Sequence, residues 1–242
     1  MKNKIYFIII SLLFFSPLIG LANDININTL LNEIISGEQI ASPVITVTKF
    51  DLSWSTNTYA PFGYEGRALP VRSGMVFVDA DVSVINGDAK NLKYSWFLED
   101  IFQRDKSGYG KTSFYFYARQ FPGTYHTVKV QVFNEDRSIF QEKTIEIPIA
   151  EPEIILSQTN ANKLSIIAKP YFFSINKLTD LVFEWTLSGQ KSIISSNYNA
   201  SILDINVLNK NGDKSIEQNL WVNVKNLKET EQNAHNSIKI NL

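Results

Sequence analysis

The sequence predicts an all-β protein in which two tandem antiparallel β-sandwiches follow an N-terminal signal or anchor helix. The first reason is a tryptophan-centred strand, residues 92–98, whose pattern returns at residues 181–187. In both strands large apolar side chains alternate, so they share one face and suit the centre of a core: Tyr94, Trp96 and Leu98 in the first, Phe183, Trp185 and Leu187 in the second. The second reason is a series of short alternating strands separated by turn signals, which is typical of sandwiches.

The composition excludes several classes of function. The chain has 242 residues and a net charge of −1. It has no basic stripe with interleaved aromatic residues, which argues against nucleic-acid binding. It also has no cysteine, which excludes disulfides, thiolate nucleophiles and zinc sites built on sulfur. The sandwiches must therefore be stable through their hydrophobic cores alone.

Residues 1–22 have the pattern of a secretory signal peptide. Two lysines precede an apolar run over 5–15, and small residues stand at the positions required for cleavage after Ala22. Residues 5–22 are also nearly long enough to stay in place as an uncleaved membrane anchor. Both alternatives place the rest of the chain outside the cytoplasm, at the cell surface, in the periplasm or in the medium. Membrane contact is expected only through residues 5–22, if they are not removed.

Residues 23–42 are expected to form a short helical or spacer segment, which either packs on the first domain, serves as a stalk or binds a partner. Residues 43–150 are predicted to form the first sandwich. A long loop over 57–73 follows its first strand. The predicted strands are 44–54, 75–84, 92–98, 112–117, 121–133 and 138–149.

Residues 151–242 are predicted to form the second sandwich, because the strand pattern repeats to the end of the chain. The linker at 150–152 is short and contains a proline, so restricted motion between the sandwiches is expected. A hairpin turn is predicted at 209–213. The predicted strands are 153–157, 163–173, 181–187, 201–208, 217–224 and 236–242.

The order of elements in residues 74–149 resembles PKD-type immunoglobulin-like repeats, and residues 181–241 resemble them more weakly. The resemblance rests on the Trp96 strand, an aromatic strand, the Pro-Gly-Thr-Tyr sequence that ends at Tyr125, and a strand of alternating valines. It implies two immunoglobulin-like sandwiches of the kind that serve as accessory modules of exported bacterial proteins. The sequence departs from the family where Phe-Leu-Glu-Asp follows Trp96. Tyr125 is also one residue out of step with Val128, so a β-bulge is expected there.

The titratable residues form no recognisable catalytic or metal-binding pattern. His126 and His235 fall in different domains, and each is expected at a surface or strand edge. Asp79 and Asp81 share an outward strand face, where paired carboxylates need no catalytic explanation. The acidic loop from Glu99 to Asp105 leaves calcium binding open, although no complete calcium-loop motif is present. We therefore predict no catalytic residue, cofactor or metal site, and we expect that the protein is not an enzyme.

The best candidate binding site is the loop 57–73, with Tyr59, Phe62, Tyr64 and Arg67. Aromatic residues combined with arginine are favoured in recognition surfaces. The alternative is that these rings fold back and cap their own sandwich.

The expected function is that of an exported, non-enzymatic surface or envelope protein, which acts as a spacer or protein-interaction module. Its expected partner is another envelope or surface protein, or a glycan. The alternative function is a carbohydrate-binding or accessory module of a secreted degradative or surface-assembly system, which aromatic rings lying coplanar on one exposed face would favour. The sequence predicts neither the partner's identity nor the oligomeric state.

Overall fold

The computed structural model describes residues 44–159, 164–188, 190, 193–195, 199–205 and 216–242. The segment Ile45–Leu242 forms one compact unit. The predicted signal at 1–22, the spacer at 23–42 and the turn at 209–213 lie outside the described residues. Among the residues that are described, no helix is long and apolar enough to cross a membrane. The predicted all-β, mainly antiparallel fold is confirmed by the strand pairing.

The first sandwich consists of two antiparallel sheets. One has the strand order β1-β2-β6, and the other has the order β4-β3-β7-β8, with β5 also paired to β3. The strands are β1 (Thr46–Thr56), β2 (Met75–Ile85), β3 (Lys93–Leu98), β4 (Ile101–Phe102), β5 (Gly108–Tyr109), β6 (Ser113–Tyr117), β7 (Tyr125–Phe133) and β8 (Phe140–Pro148).

The second sandwich repeats this topology. One sheet has the order β13-β10-β9 and the other the order β12-β11-β14-β15. Short 3-10 turns precede the central strand of each sandwich, at Ala89–Asn91 and Leu178–Asp180. The strands are β9 (Glu153–Thr159), β10 (Leu164–Tyr171), β11 (Leu181–Leu187), β12 (Ile193–Ser195), β13 (Ile202–Ile205), β14 (Glu217–Asn226) and β15 (Asn233–Asn241).

Each sandwich has its own hydrophobic core with one tryptophan at its centre. Trp96 is 0% exposed in the first core and Trp185 is 3% exposed in the second. The indole N–H of Trp96 donates to the carbonyl of Lys111 at 2.8 Å, and that of Trp185 donates to Ala200 at 2.9 Å. In both cases the acceptor lies 15 residues further along the chain. The repeat therefore extends to the hydrogen bond that satisfies the one polar atom of each buried ring.

The bulge expected near Tyr125 is wrong. Strand β7 pairs with β8 in one unbroken register from Tyr125 to Phe133, and burial alternates from His126 onward. Tyr125 points outward, and His126 takes the inward position at 3% exposure. The expectation of a surface His126 is therefore also wrong. An inward histidine is tolerated here because all its ring nitrogens find hydrogen-bond partners, as described below.

The hairpin turn predicted at 209–213 implies that the strands on either side of it pair with each other, and this pairing is wrong. Strand β13 pairs with β10, whereas β14 pairs with β11 and β15 in the other sheet. Strands β13 and β14 therefore belong to different sheets. In the first sandwich, the polar stretch that was predicted to be a loop after Leu98 instead contains β4 and β5. Glu99 and Asp100, at φ 51° and 61°, form the two-residue turn that joins β3 to β4.

Candidate functional site

The loop 57–73 contacts both sandwiches, since Leu69 packs against the first core and Tyr59 packs against the second. Tyr59 donates its main-chain N–H to the carbonyl of Phe173 at 2.7 Å, and accepts from the N–H of Phe172 at 2.7 Å. The side chain of Tyr59 packs against the second core, and burial raises the pKa of its phenol. A residue of the first sandwich thus completes the core of the second.

Tyr64 and Arg67 hold the middle of the loop. The Tyr64 ring packs edge-on against the rings of Tyr171 and Phe172, with centroids 5.5 Å and 5.9 Å away. Its hydroxyl donates to the carbonyl of Arg67 at 3.3 Å. The guanidinium of Arg67 lies over the ring of Trp54, 4.6 Å from its centroid, where a cation–π contact stabilises it.

Phe62 differs from the other three candidate residues, because its side chain is fully exposed. It occupies the tip of a turn that the Tyr64 N–H closes by donating to the carbonyl of Pro61 at 3.1 Å. Gly63 has φ +82° in this turn, a conformation that favours glycine. The predicted site thus contains three residues whose side chains have packing partners, although Tyr64 is still 37% exposed and Arg67 is exposed, and one residue, Phe62, whose side chain is fully exposed.

The end of the loop is held by a second group of contacts, some with the second sandwich and some with the first. Arg72 forms an ion pair with Glu231 at 3.2 Å, and its guanidinium stacks 4.6 Å from the centroid of Phe121. Val71 and Ala150 form an isolated parallel bridge. A Cβ added at Gly74 would lie 2.9 Å from the main-chain carbonyl oxygen of Val71 and 2.9 Å from the Ser174 hydroxyl oxygen, so only glycine fits this close approach.

A buried polar cluster around Gln232 completes this junction. The Gln232 side chain donates through Nε2 to the carbonyl of Arg72 at 2.9 Å. Its Oε1 accepts from the N–H of Ser174 at 2.8 Å and from Nδ2 of Asn226 at 3.0 Å. Gln232 is 1% exposed and Asn226 is 2% exposed. Because a buried amide is costly unless it is paired, this cluster favours a single relative position of the two sandwiches.

Sequence reasoning missed Arg72, Asn226 and Gln232. Polar residues at turns usually point into solvent, so no local signal distinguishes these three from the many other polar residues of the chain. Their partners are distant in sequence and become neighbours only when the two sandwiches meet.

His126 joins three elements of the first sandwich. Its Nδ1 lies 2.8 Å from Oε1 of Glu99, and its Nε2 accepts from the main-chain N–H groups of Arg119 at 3.1 Å and Gln120 at 3.4 Å. The ring also packs edge-on against Phe116 at 4.9 Å. These contacts correspond to a neutral imidazole with its proton on Nδ1. Both nitrogens are occupied, so the arrangement offers no free base for catalysis.

Two of the other acidic candidates, Asp81 and Asp100, are engaged with nearby cations, as is Asp51, which was not a candidate. Asp100 pairs with Lys129 at 2.9 Å, Asp51 pairs with Lys143 at 2.8 Å, and Asp81 pairs with Lys49. Within the described part of the chain, no group of three or more histidine, aspartate and glutamate side chains could hold a metal ion. His235 is exposed and lines an open cleft of about 510 Å³ that also contains Glu151, Glu153 and Glu231.

A cluster of exposed aromatic side chains occupies the outer face of the sheet β1-β2-β6. It comprises Phe77, Tyr115 and Tyr117. The rings of Phe77 and Tyr115 are 6.5 Å apart and tilted by 43°. Strict alternation in residues 113–117 could have revealed this cluster from the sequence, since Phe114 and Phe116 face the core.

The chain has similarities to known proteins among solved structures. No protein-family model matches the chain, and no curated protein matches it. Among solved structures, the three N-terminal domains of the outer capsid protein Hoc of bacteriophage RB49 are similar over 82% of this chain and 59% of that one, with 16% identity and a TM-score of 0.45. The chain thus spans about three fifths of that structure.

Two vertebrate structures are similar at lower scores. The FN1–FN3 domains of chicken CNTN1 match over 77% of this chain and 66% of theirs, with 11% identity and a TM-score of 0.28. A two-domain fibronectin type III segment of chicken tenascin matches over 81% and 98%, with 9% identity and a TM-score of 0.26. These neighbours are immunoglobulin-like or fibronectin type III β-sandwich domains.

Proposed function

We propose that this chain is an exported, non-enzymatic surface or envelope protein. In it, two PKD-type immunoglobulin-like sandwiches are held as one rigid spacer that presents interaction surfaces to a partner envelope protein. The observation that supports this proposal is the junction between the sandwiches. There Tyr59 of the loop 57–73 packs against the second core, and Gln232 donates a hydrogen bond to the carbonyl of Arg72. A flexible string of domains needs neither contact, whereas a spacer that fixes distance and orientation needs both.

The absence of enzymatic activity is part of the proposal. It is supported by the way in which the candidate groups are used, since Glu99 binds His126 and Asp100 binds Lys129. Hydrolytic turnover that a single aspartate or glutamate substitution abolishes would contradict it. Export is supported by the signal pattern in residues 1–22.

Rigidity is tested on the chain that begins at Asn23. Residual dipolar couplings measured for amides of both sandwiches should fit one alignment tensor, because the junction makes them a single rotating body. Two tensors with different magnitudes would show independent motion and overturn the spacer function. Recovery of one specific protein from the source cell envelope, with the same chain as bait, then tests the interaction function.

The glycan-binding alternative has one supporting observation, the exposed rings of Phe77, Tyr115 and Tyr117. A flat glycan requires rings in a common plane, and the tilt of 43° between Phe77 and Tyr115 does not provide it. We therefore favour the protein partner. Affinity electrophoresis in polysaccharide gels should show no retardation of the chain, and retardation lost in Tyr115→Ala would favour the alternative.

A further inference from the structure

Strand β6 is an edge strand with an open row of backbone hydrogen-bonding groups. On one side it pairs with β2, where Ala80 donates to the carbonyl of Thr112 and Ala118 donates to that of Gly74, both at 2.8 Å. Pairing alternates along an antiparallel ladder, so the main-chain groups of Phe114 and Phe116 face β2. The N–H and C=O groups of the alternate residues, Ser113, Tyr115 and Tyr117, point away from β2. No described strand pairs with that side of β6.

The other long edges of the first sandwich carry protecting features that β6 lacks. Edge strand β1 has a register irregularity between Val47 and Lys49, and Asp51 on it pairs with Lys143 of β8. Edge strand β8 contains Pro148 and several charged residues. Strand β6 contains neither proline nor charge, and its register with β2 is unbroken. Such an edge readily accepts another strand.

Cations surround this edge. Lys111 and Arg119 flank β6 at its two ends, are exposed, and form no ion pair with another described residue. The ammonium of Lys106 lies 3.6 Å from the centroid of the Tyr115 ring, and its hydrogen bond lowers the pKa of the Tyr115 phenol. Acids also lie in this region: Asp79 pairs with Ser113 across the ladder, Asp81 follows on β2 at the level of Lys111, and Asp105 is next to Lys106 in the sequence. The flanks themselves are purely basic.

These flanking charges disfavour a second copy of the chain on the same edge. A symmetric antiparallel pair centred on Tyr115 would place Lys111 of each copy opposite Arg119 of the other. Like charges directly opposite each other destabilise a strand pair. The same two positions favour a strand with acidic residues at a matching spacing.

We propose that β6 is a docking edge for an extended segment of a partner protein, which adds to the sheet as a further strand and carries acidic residues opposite Lys111 and Arg119. Main-chain hydrogen bonds to Ser113, Tyr115 and Tyr117 supply affinity, and the two ion pairs supply selectivity. This inference rests on the proposed interaction function and names the chemistry of its partner.

The probe is a nine-residue peptide of alternating valine and threonine with glutamate at both ends. Residues 111, 113, 115, 117 and 119 share one face, so terminal glutamates reach both cations in either strand direction. The matched control peptide has lysine at both ends. Titration of the labelled chain should shift amide resonances of residues 111–119, and the glutamate peptide should bind about tenfold more tightly than the lysine peptide.

Two variants decide the outcome. Tyr115→Pro removes an outward N–H without breaking the ladder to β2, and should abolish peptide binding. The double variant Lys111→Glu with Arg119→Glu leaves the edge intact and should reverse the preference between the peptides, so the test stands even if the proline variant does not fold.

Failure of both peptides to shift the β6 amides, equal binding of the two, or unchanged preference in the charge-reversed variant overturns the proposal. A concentration-dependent dimer in ultracentrifugation that Tyr115→Pro abolishes would assign the edge to a second copy instead. None of these results alters the alignment-tensor test, so the spacer function is judged separately.

Discussion

Two buried side chains, Trp96 and His126, show how single residues shape the first sandwich. Trp96 fills the core with a large ring whose one polar atom is satisfied by the carbonyl of Lys111. His126 occupies an inward strand position and satisfies the main-chain N–H groups of Arg119 and Gln120. The first residue stabilises the fold through buried area, and the second through hydrogen bonds from a turn whose two N–H groups have no other acceptor among the described residues.

Truncation of Trp96 to alanine should lower the free energy of unfolding by about 3–5 kcal/mol, because it leaves a large cavity in the first core. Trp185→Ala should act in the same way on the second core. Denaturant unfolding followed by circular dichroism measures both effects. Trp221→Ala is the matched control, since Trp221 is 42% exposed, and should change stability by less than about 1 kcal/mol. A small loss in Trp96→Ala would contradict the packing described here.

Substitution of His126 by alanine should destabilise the first sandwich by about 1–3 kcal/mol at neutral pH, because the N–H groups of Arg119 and Gln120 lose their acceptor. His235→Ala provides the control, since His235 is exposed. Equal stability of the two variants would show that water replaces the imidazole without cost. Faster hydrogen exchange at Arg119 and Gln120 in the His126 variant would locate the effect.

At the scale of elements, the loop 57–73 combines two roles that the sequence pattern could not separate. Tyr59 packs against the second core, whereas the side chain of Phe62 is fully exposed. Tyr59→Ser should therefore lower the melting temperature by several degrees, and Phe62→Ser should leave it nearly unchanged. Scanning calorimetry of the two single variants distinguishes these outcomes. Equal drops would mean that the tip of the loop is also part of the fold.

An ion pair joins Asp180, in the 3-10 turn at Leu178–Asp180, to Lys228, which follows the end of β14. Burial raises the pKa of the Asp180 carboxyl, but hydrogen bonds from Lys228 and from the Asn176 N–H outweigh it, so the pKa lies below its usual 3.8. A carboxyl whose folded pKa is lowered stabilises the fold fully above the unfolded value. That contribution is lost as pH falls through the folded pKa.

Asp180→Asn should therefore be less stable than the parent chain at neutral pH, and the difference should shrink as the pH falls below about 3.8. Urea unfolding across this pH range measures the effect. Asp79→Asn is the control, because Asp79 is exposed and forms no ion pair with another described residue. A difference that stays constant with pH would show that the charge of Asp180 is not involved.

At the scale of the whole molecule, the relative position of the sandwiches depends on a few polar contacts. Gln232→Ala removes the bond to Arg72 and leaves the N–H of Ser174 and the amide of Asn226 without their shared acceptor. We expect each sandwich to remain folded while the couplings of the two no longer fit one alignment tensor. Lys225→Ala, an exposed change on β14 beside Asn226, should behave like the parent. A single tensor in Gln232→Ala would show that Tyr59 and Tyr64 suffice to hold the junction.

The sequence by itself determined the all-β class, the tryptophan at the centre of each core and most strand positions, because these depend on alternation and turn chemistry that neighbouring residues express. It could not determine that β13 and β14 belong to different sheets, since pairing partners are chosen by packing across the sandwich. It also could not place His126 in the core or Gln232 at the junction. A polar residue is buried only where partners from distant elements satisfy it, and only the tertiary structure brings Glu99 to His126 and Arg72 to Gln232.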